Sequence, residues 1–227
     1  MAPPARDSAA VEPDWSAVDL HAWHVLAPLA SDYLPWSSAS LRPSAVVAIL
    51  NDLVVHDRRA VLECGGGVST VFLARLLERL GRGLLVTVEH DVRWVRFLER
   101  TLARERLTHR VRVVHAPLGG HALAWGSDWY EEGALRAALP AEPVDLLVVD
   151  GPPAWEEGTE RSRYPALPAL LSDLAADATV VLDDIHRPGE QAVLARWEAE
   201  APLRFERHEE HGGIAIARLG VDPPLRP

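Results

Sequence analysis

Four short stretches carry residues whose types and spacing suit chemistry: Glu63-Cys64-Gly65-Gly66-Gly67, Glu89-His90-Asp91, Asp150-Gly151-Pro152-Pro153 and Asp183-Asp184-Ile185-His186. Each sits at the end of an apolar Val/Leu run. Glycines let a backbone approach a ligand closely, and a helix that opens just after them presents N–H groups with no partner inside the helix. Ser69 and Thr70 stand where they can cap such a helix. Glu89 follows the glycines at roughly the 20-residue spacing that suits a carboxylate accepting hydrogen bonds from two ribose hydroxyls. These first two stretches read as a nucleoside site. His186, with an ordinary pKa of ~6.5, is a candidate general base.

The elements that must position these residues alternate along the chain. Strands are expected at 60–64, 84–89, 111–116, 144–150 and 179–184, because each is a short run rich in Val and Leu. Helical spacing of apolar residues lies between them, at 68–80 (stopped by Gly81 and Gly83), 91–107, about 130–138, 163–176 and 188–200. Residues 203–210 and 213–219 form a closing hairpin that turns near His211-Gly212-Gly213. Continuous apolar strands separated by helices indicate an α/β, doubly wound, mostly parallel sheet, with the hairpin adding an antiparallel strand. In such a sheet the ligand sits outside the carboxyl ends of the strands, where all four stretches fall.

Upstream, Trp15, Val18, Leu20, Trp23, Val25 and Leu26 suggest one helix from Trp15 to about Ala30. A second is expected after Pro43, with Val46, Val47, Ile49, Leu50 and Leu53 on its apolar side. The chain thus divides into a loose tail (1–13), a helical extension (14–57), a catalytic domain (58–220) and a second tail (221–227). Trp23, Tyr33, Leu34 and Trp36 make the extension a candidate lid over the ligand edge, or a surface for a homo-oligomer.

Composition narrows the function further. The chain has 227 residues, 23 basic and 33 acidic, for a net charge of −10, and every basic residue is Arg. Without lysine there is no Schiff-base chemistry and no P-loop. The acidic balance argues against nucleic acid as a partner. A single cysteine, Cys64, excludes an internal disulfide framework and a multi-cysteine zinc site. No apolar run reaches the roughly 20 residues of a membrane span, and the start has no signal-peptide core, so a cytoplasmic protein is expected.

Two nucleoside cofactors compete. A dinucleotide fingerprint calls for a third glycine where this chain has Thr70, and Glu63 would repel a pyrophosphate while welcoming a cationic amino-acid group. The electrostatics favour S-adenosylmethionine (SAM), with a NAD(P)-dependent oxidoreductase and a catalytically silent nucleoside-binding protein as alternatives. The segments VLECGGGVSTVFLA, VTVEHD, VDLLVVDGPP and VVLDDIHRP together resemble the class I SAM-dependent methyltransferases. They look closest to small bacterial enzymes related to the catechol O-methyltransferase-like group, over roughly residues 40–219.

That resemblance implies a seven-stranded sheet with its last strand antiparallel. It implies that Glu63, Gly65, Gly66, Gly67, Ser69 and Thr70 border the methionine part, and that Glu89 and His90 lie at the ribose. His115, Ala116 and Pro117 would then lie near the adenine, and Asp150 beside the cofactor. Its Mg²⁺-dependent members hold the ion with two aspartates and an asparagine, which places Asp150, Asp183 and Asp184 as the corresponding ligands here. Three oxygen donors suit Mg²⁺. Two departures weigh against the ion: Pro153 stands where the pattern has lysine, and Asp184 adds charge where it has a neutral amide. Without a metal, Asp150, Asp183 or His186 would act as a plain base. Trp125, Trp129, Tyr130, Trp155 and Tyr164 are candidates to wall an acceptor pocket; Arg161 and Arg163 are expected to pair on the surface with Glu156, Glu157 or Glu160, with the holding of an anionic acceptor as the alternative. The combined expectation is O-methylation of a small-molecule metabolite.

Overall fold

The structure is a computed structural model that describes residues 17–209 and 213–220. Strands β1 (Ala60–Cys64), β2 (Leu84–Glu89), β3 (Val111–His115), β4 (Leu118–Gly119), β5 (Trp129–Tyr130), β6 (Val144–Val149), β7 (Leu174–Leu182), β8 (Glu206–His208) and β9 (Ile214–Arg218) interleave with seven α-helices. These are α1 (Ala17–Leu26), α2 (Pro43–Val55), α3 (Val68–Leu80), α4 (Val92–Arg104), α5 (Glu132–Ala138), α6 (Ala166–Leu170) and α7 (Pro188–Glu200).

Seven strands form one sheet in the order β3-β2-β1-β6-β7-β9-β8, while β4 and β5 make a separate short ladder. The first five are parallel, and β9 runs antiparallel to both β7 and β8. The expected architecture is the one observed. Strand order reverses between β1 and β6, so the crevice at their carboxyl ends lies at a topological switch point. The glycine turn leaves β1 and Asp150 leaves β6, which puts both on that crevice.

Both faces of the sheet are covered, which is why its strands read as unbroken apolar runs. Leu62, Leu147 and Val149 pack with Trp129, Leu167 and Trp197 on one face. Val61, Leu146 and Val148 pack with Ile49, Leu53 and Phe72 on the other. Among the described residues, no helix is long and apolar enough to cross a membrane.

Three expectations need correction. In α1 the buried residues are Asp19, Ala22 and Leu26, while Leu20, Trp23 and Val25 face outward. Asp19 decides this docking: it accepts hydrogen bonds from Arg42 Nε at 2.8 Å and Ser44 Oγ at 2.6 Å, so a buried carboxylate outranks the apolar residues. The helix expected over 163–176 shrinks to α6 and a 3₁₀ turn at Leu171–Asp173. Pro165 and Pro168 lack the N–H groups that a longer helix would need, and β7 begins early, at Leu174. That strand also ends at Leu182, leaving Asp183 and Asp184 in the following turn. Trp15, the two tails and the His211-Gly212 part of the hairpin turn lie outside the described residues.

Candidate active site

Glu63 organises the glycine turn from beneath. It is fully buried, and three hydroxyls donate to it: Ser69 Oγ at 2.6 Å, Thr70 Oγ1 at 2.5 Å and Thr87 Oγ1 at 2.7 Å. Burial pushes its carboxyl up to about 7, against the opposing pull of these hydrogen bonds. Thr70 Oγ1 also accepts from the Gly67 N–H at 2.9 Å, so the carboxylate, the hydroxyl and the loop backbone form one chain of bonds. Glu63 was expected to border the cofactor's methionine part. Its oxygens instead face the protein interior, and it shapes the loop rather than lining the cleft.

Gly65 has a sequence-level reason to be glycine. Its φ is +92°, and a Cβ there would come within 2.7 Å of the Gly151 backbone nitrogen. The turn after β1 and the turn after β6 therefore touch backbone to backbone. Tyr130 is buried beside them, and its hydroxyl has no hydrogen-bond partner.

Glu89 closes the other side. Its Oε2 accepts from the Gly66 N–H at 3.0 Å and its Oε1 from the Asp91 N–H at 2.7 Å. His90 Nδ1 lies 2.8 Å from Oε1, and that carboxylate raises the His90 pKa despite partial burial. A carboxylate has about four lone-pair sites, so Glu89 keeps acceptor capacity after these bonds. Asp91 caps α4 through the Arg93 N–H at 2.8 Å, and the Arg93 side chain holds its carboxyl below the usual range.

These elements surround a cleft of about 320 Å³. Gly65, Gly66, Gly67, Ser69, Glu89, His90 and Asp150 line it, together with Val68, Asp91, Trp94, Tyr130, Gly151, Pro153 and Trp155. Ser37, Ala39, Ser40 and Leu41 complete the wall, so the segment between α1 and α2 borders the ligand edge. Thr70, Ala116 and Pro117 are not among the lining residues. Ala116 is fully buried at the end of β3, where its N–H bonds to the Glu89 carbonyl at 2.9 Å. Of the five aromatic candidates, Tyr130 and Trp155 reach the cleft. Trp129 is wholly buried, and Trp125 is held between Arg161 and Arg196 and against Tyr164. His186 is exposed and away from the cleft, beside Gly213.

Asp150, Asp183 and Asp184 do converge, with one oxygen from each lying within 4.8 Å of the others. Burial raises the pKa of both Asp150 and Asp183, with repulsion from Asp183 adding to it at Asp150 and repulsion from Asp184 adding to it at Asp183. A fourth partner is already present. Arg163, expected at the surface, is 1% exposed. Its Nη1 lies 3.0 Å from Asp184 Oδ2 and 3.7 Å from Glu190 Oε1, and its Nη2 lies 3.4 Å from Asp150 Oδ1. The same guanidinium donates to the backbone carbonyls of Asp150 at 2.6 Å and Asp183 at 3.2 Å. Arg187 pairs with Asp184 from the other side at 2.5 Å. The donor set as it stands fits Mg²⁺ poorly, because guanidiniums already pair with two of the three carboxylates, Arg163 with Asp150 Oδ1 and Arg163 and Arg187 with Asp184 Oδ2.

Sequence reasoning missed Arg163, Glu190, Trp94 and the 37–41 segment. For Arg163 there was one signal. In a chain without lysine, three aspartates at adjoining strand ends require arginine as their counter-charge.

The sheet order, the glycine turn at the switch point and the carboxylate ending β2 define a Rossmann-like methyltransferase fold. The profile of a family described as a methyltransferase domain matches residues 62–185, more than half of the chain. The chain is similar in structure to the O-methyltransferase from Bacillus cereus in complex with SAH (S-adenosylhomocysteine), at 20% identity over 92% of this chain and 93% of that one, with a TM-score of 0.56. It is also similar to the O-methyltransferase TomG from Streptomyces achromogenes, involved in tomaymycin synthesis and crystallised with SAM, at 21% identity over 90% of each chain and a TM-score of 0.54. No curated protein matches the sequence. This chain belongs to the methyltransferase-domain family.

Proposed function

We propose that this protein is a SAM-dependent O-methyltransferase whose acceptor is a small molecule bearing a hydroxyl. The charge of the cleft carries the cofactor assignment. Glu89, Asp91 and Asp150 line it, and among the described residues no arginine does. A pyrophosphate would find three carboxylates and no guanidinium there, whereas a sulfonium and an ammonium meet favourable charge. That difference sets SAM above a dinucleotide.

The residues present fit the group. Gly65 and Gly66 offer backbone that a ligand can approach, Glu89 retains a free lone pair for a ribose hydroxyl, and Ser69 opens α3 beside them. Bound SAM supplies a methyl carbon on a sulfonium, an electrophile with its leaving group built in. What the protein adds is alignment and proton removal. Asp150 faces the cleft, and burial raises its pKa, which makes its carboxylate a stronger base than an exposed aspartate for the acceptor's hydroxyl proton. Tyr130 and Trp155 give the cleft an apolar wall for an aromatic or aliphatic acceptor.

Calorimetric titration with SAH and with NAD tests the reading. SAH should bind with one-to-one stoichiometry and NAD should not. Binding of NAD alone would overturn it. Transfer of labelled methyl from SAM to hydroxyl acceptors, with amines as controls, tests the O-methyl assignment, and a preference for amines would reject it.

A further inference from the structure

The arginine among the aspartates has a consequence for the reaction proposed above, on which this inference rests. Four carboxyl groups, those of Asp150, Asp183, Asp184 and Glu190, gather at the ends of β6 and β7 and the start of α7. Left alone they would repel one another or attract a dication. Arg163 enters from the segment before α6 and is wholly enclosed by them. Its donors also reach the carbonyls of Asp150, Pro152 and Asp183, so it ties together the two turns that carry the aspartates. A planar fork of five N–H donors suits several acceptors at fixed angles, which neither a hydrated ion nor an ammonium reproduces.

An ion held at the ~2.1 Å of a Mg–O bond to Asp150 and Asp184 would compete with the guanidinium for carboxylates it already pairs. It would also place two positive charges beside a buried guanidinium. We propose that Arg163 is the resident cation of this edge, a positioning residue that stands in place of the divalent ion and makes methyl transfer metal-independent. Arg163 does not line the cleft and does not touch the acceptor. It acts through Asp150, fixing that side chain and its backbone at the cleft wall. Arg187, on the outer side of Asp184, completes the neutralisation.

The test uses the full chain after dialysis against EDTA, with Mn²⁺ as the probe and its electron paramagnetic resonance as the readout. Wild type should leave the spectrum of free Mn²⁺ unchanged, and SAH affinity should be the same with and without EDTA. Arg163→Met should gain Mn²⁺ affinity by ~10-fold or more, because it removes a unit positive charge from beside the carboxylates. Arg163→Lys, which keeps the charge, should not. Stoichiometric Mn²⁺ binding by wild type, lost in Asp184→Asn, would overturn the proposal. If Arg163→Met does not fold, the wild-type and Asp184→Asn titrations decide alone, since a resident metal site separates those two proteins and a resident arginine does not. Failure to bind SAH would reject the functional reading and leave the Mn²⁺ result standing on its own.

Discussion

Glu63→Gln separates two things that Glu63 does, holding the glycine turn and titrating inside the protein. The carboxyl is fully buried and raised from 4.5 to about 7. A group whose folded pKa lies above its unfolded value stabilises the fold below the unfolded pKa, and that contribution disappears as pH climbs through the folded one. Wild type should therefore lose about 3 kcal/mol from this group between pH 4.5 and 8, taking 1.36 kcal/mol per unit. Glutamine cannot titrate and so escapes the loss. It keeps the volume but has one acceptor oxygen for three hydroxyl donors, a deficit of about 1 kcal/mol. The variant should be slightly less stable than wild type at pH 4.5 and as stable or more stable at pH 8. Urea unfolding followed by fluorescence of the eight tryptophans measures both values, and titrations elsewhere in the chain cancel in the difference. A difference that stays constant from pH 4.5 to 8 would refute a raised pKa at this carboxyl. Unchanged SAH affinity in the variant would refute its role in shaping the turn.

Glu89→Ala should weaken SAH binding by about 1–3 kcal/mol, the usual size of lost hydrogen bonds to a charged group, and calorimetry showing wild-type affinity would place the ribose elsewhere. Gly65→Ala combines a φ of +92° with a Cβ only 2.7 Å from the Gly151 nitrogen; thermal melts should show a loss of about 1–3 kcal/mol, and an unshifted melt would mean that the two turns do not touch. Asp19→Ala leaves Arg42 and Ser44 without their buried acceptor, so α1 should loosen, with limited proteolysis cutting faster between α1 and α2 while the sheet stays protected; unchanged cleavage would show that apolar contacts, not Asp19, dock the helix.

Much of this molecule was legible before its structure. β1, β2 and α7 fall on the residues read from apolar runs and a helix-opening proline, because their signals are local: Val and Leu buried on both faces, a Gly81 that turns left-handed at φ +68°, a Pro188 at a first helical turn. The cleft's glycines, Glu89 and Asp150 were also local, since each ends a strand of a sheet whose switch point follows from the connectivity. What tertiary structure alone decided involves partners distant in the chain. Asp19 turned α1 over because Arg42 and Ser44 wait 23 and 25 residues away. Glu63 became a buried organiser because Thr87, from the neighbouring strand, supplies its third hydroxyl. Arg163, two residues from the half-exposed Arg161, turned inward because four carboxyls from three separate segments needed a cation where water is excluded. Apolar periodicity records which face of an element is covered, but it is silent about buried charge, whose position is set by the one place in the fold where its counter-charges meet.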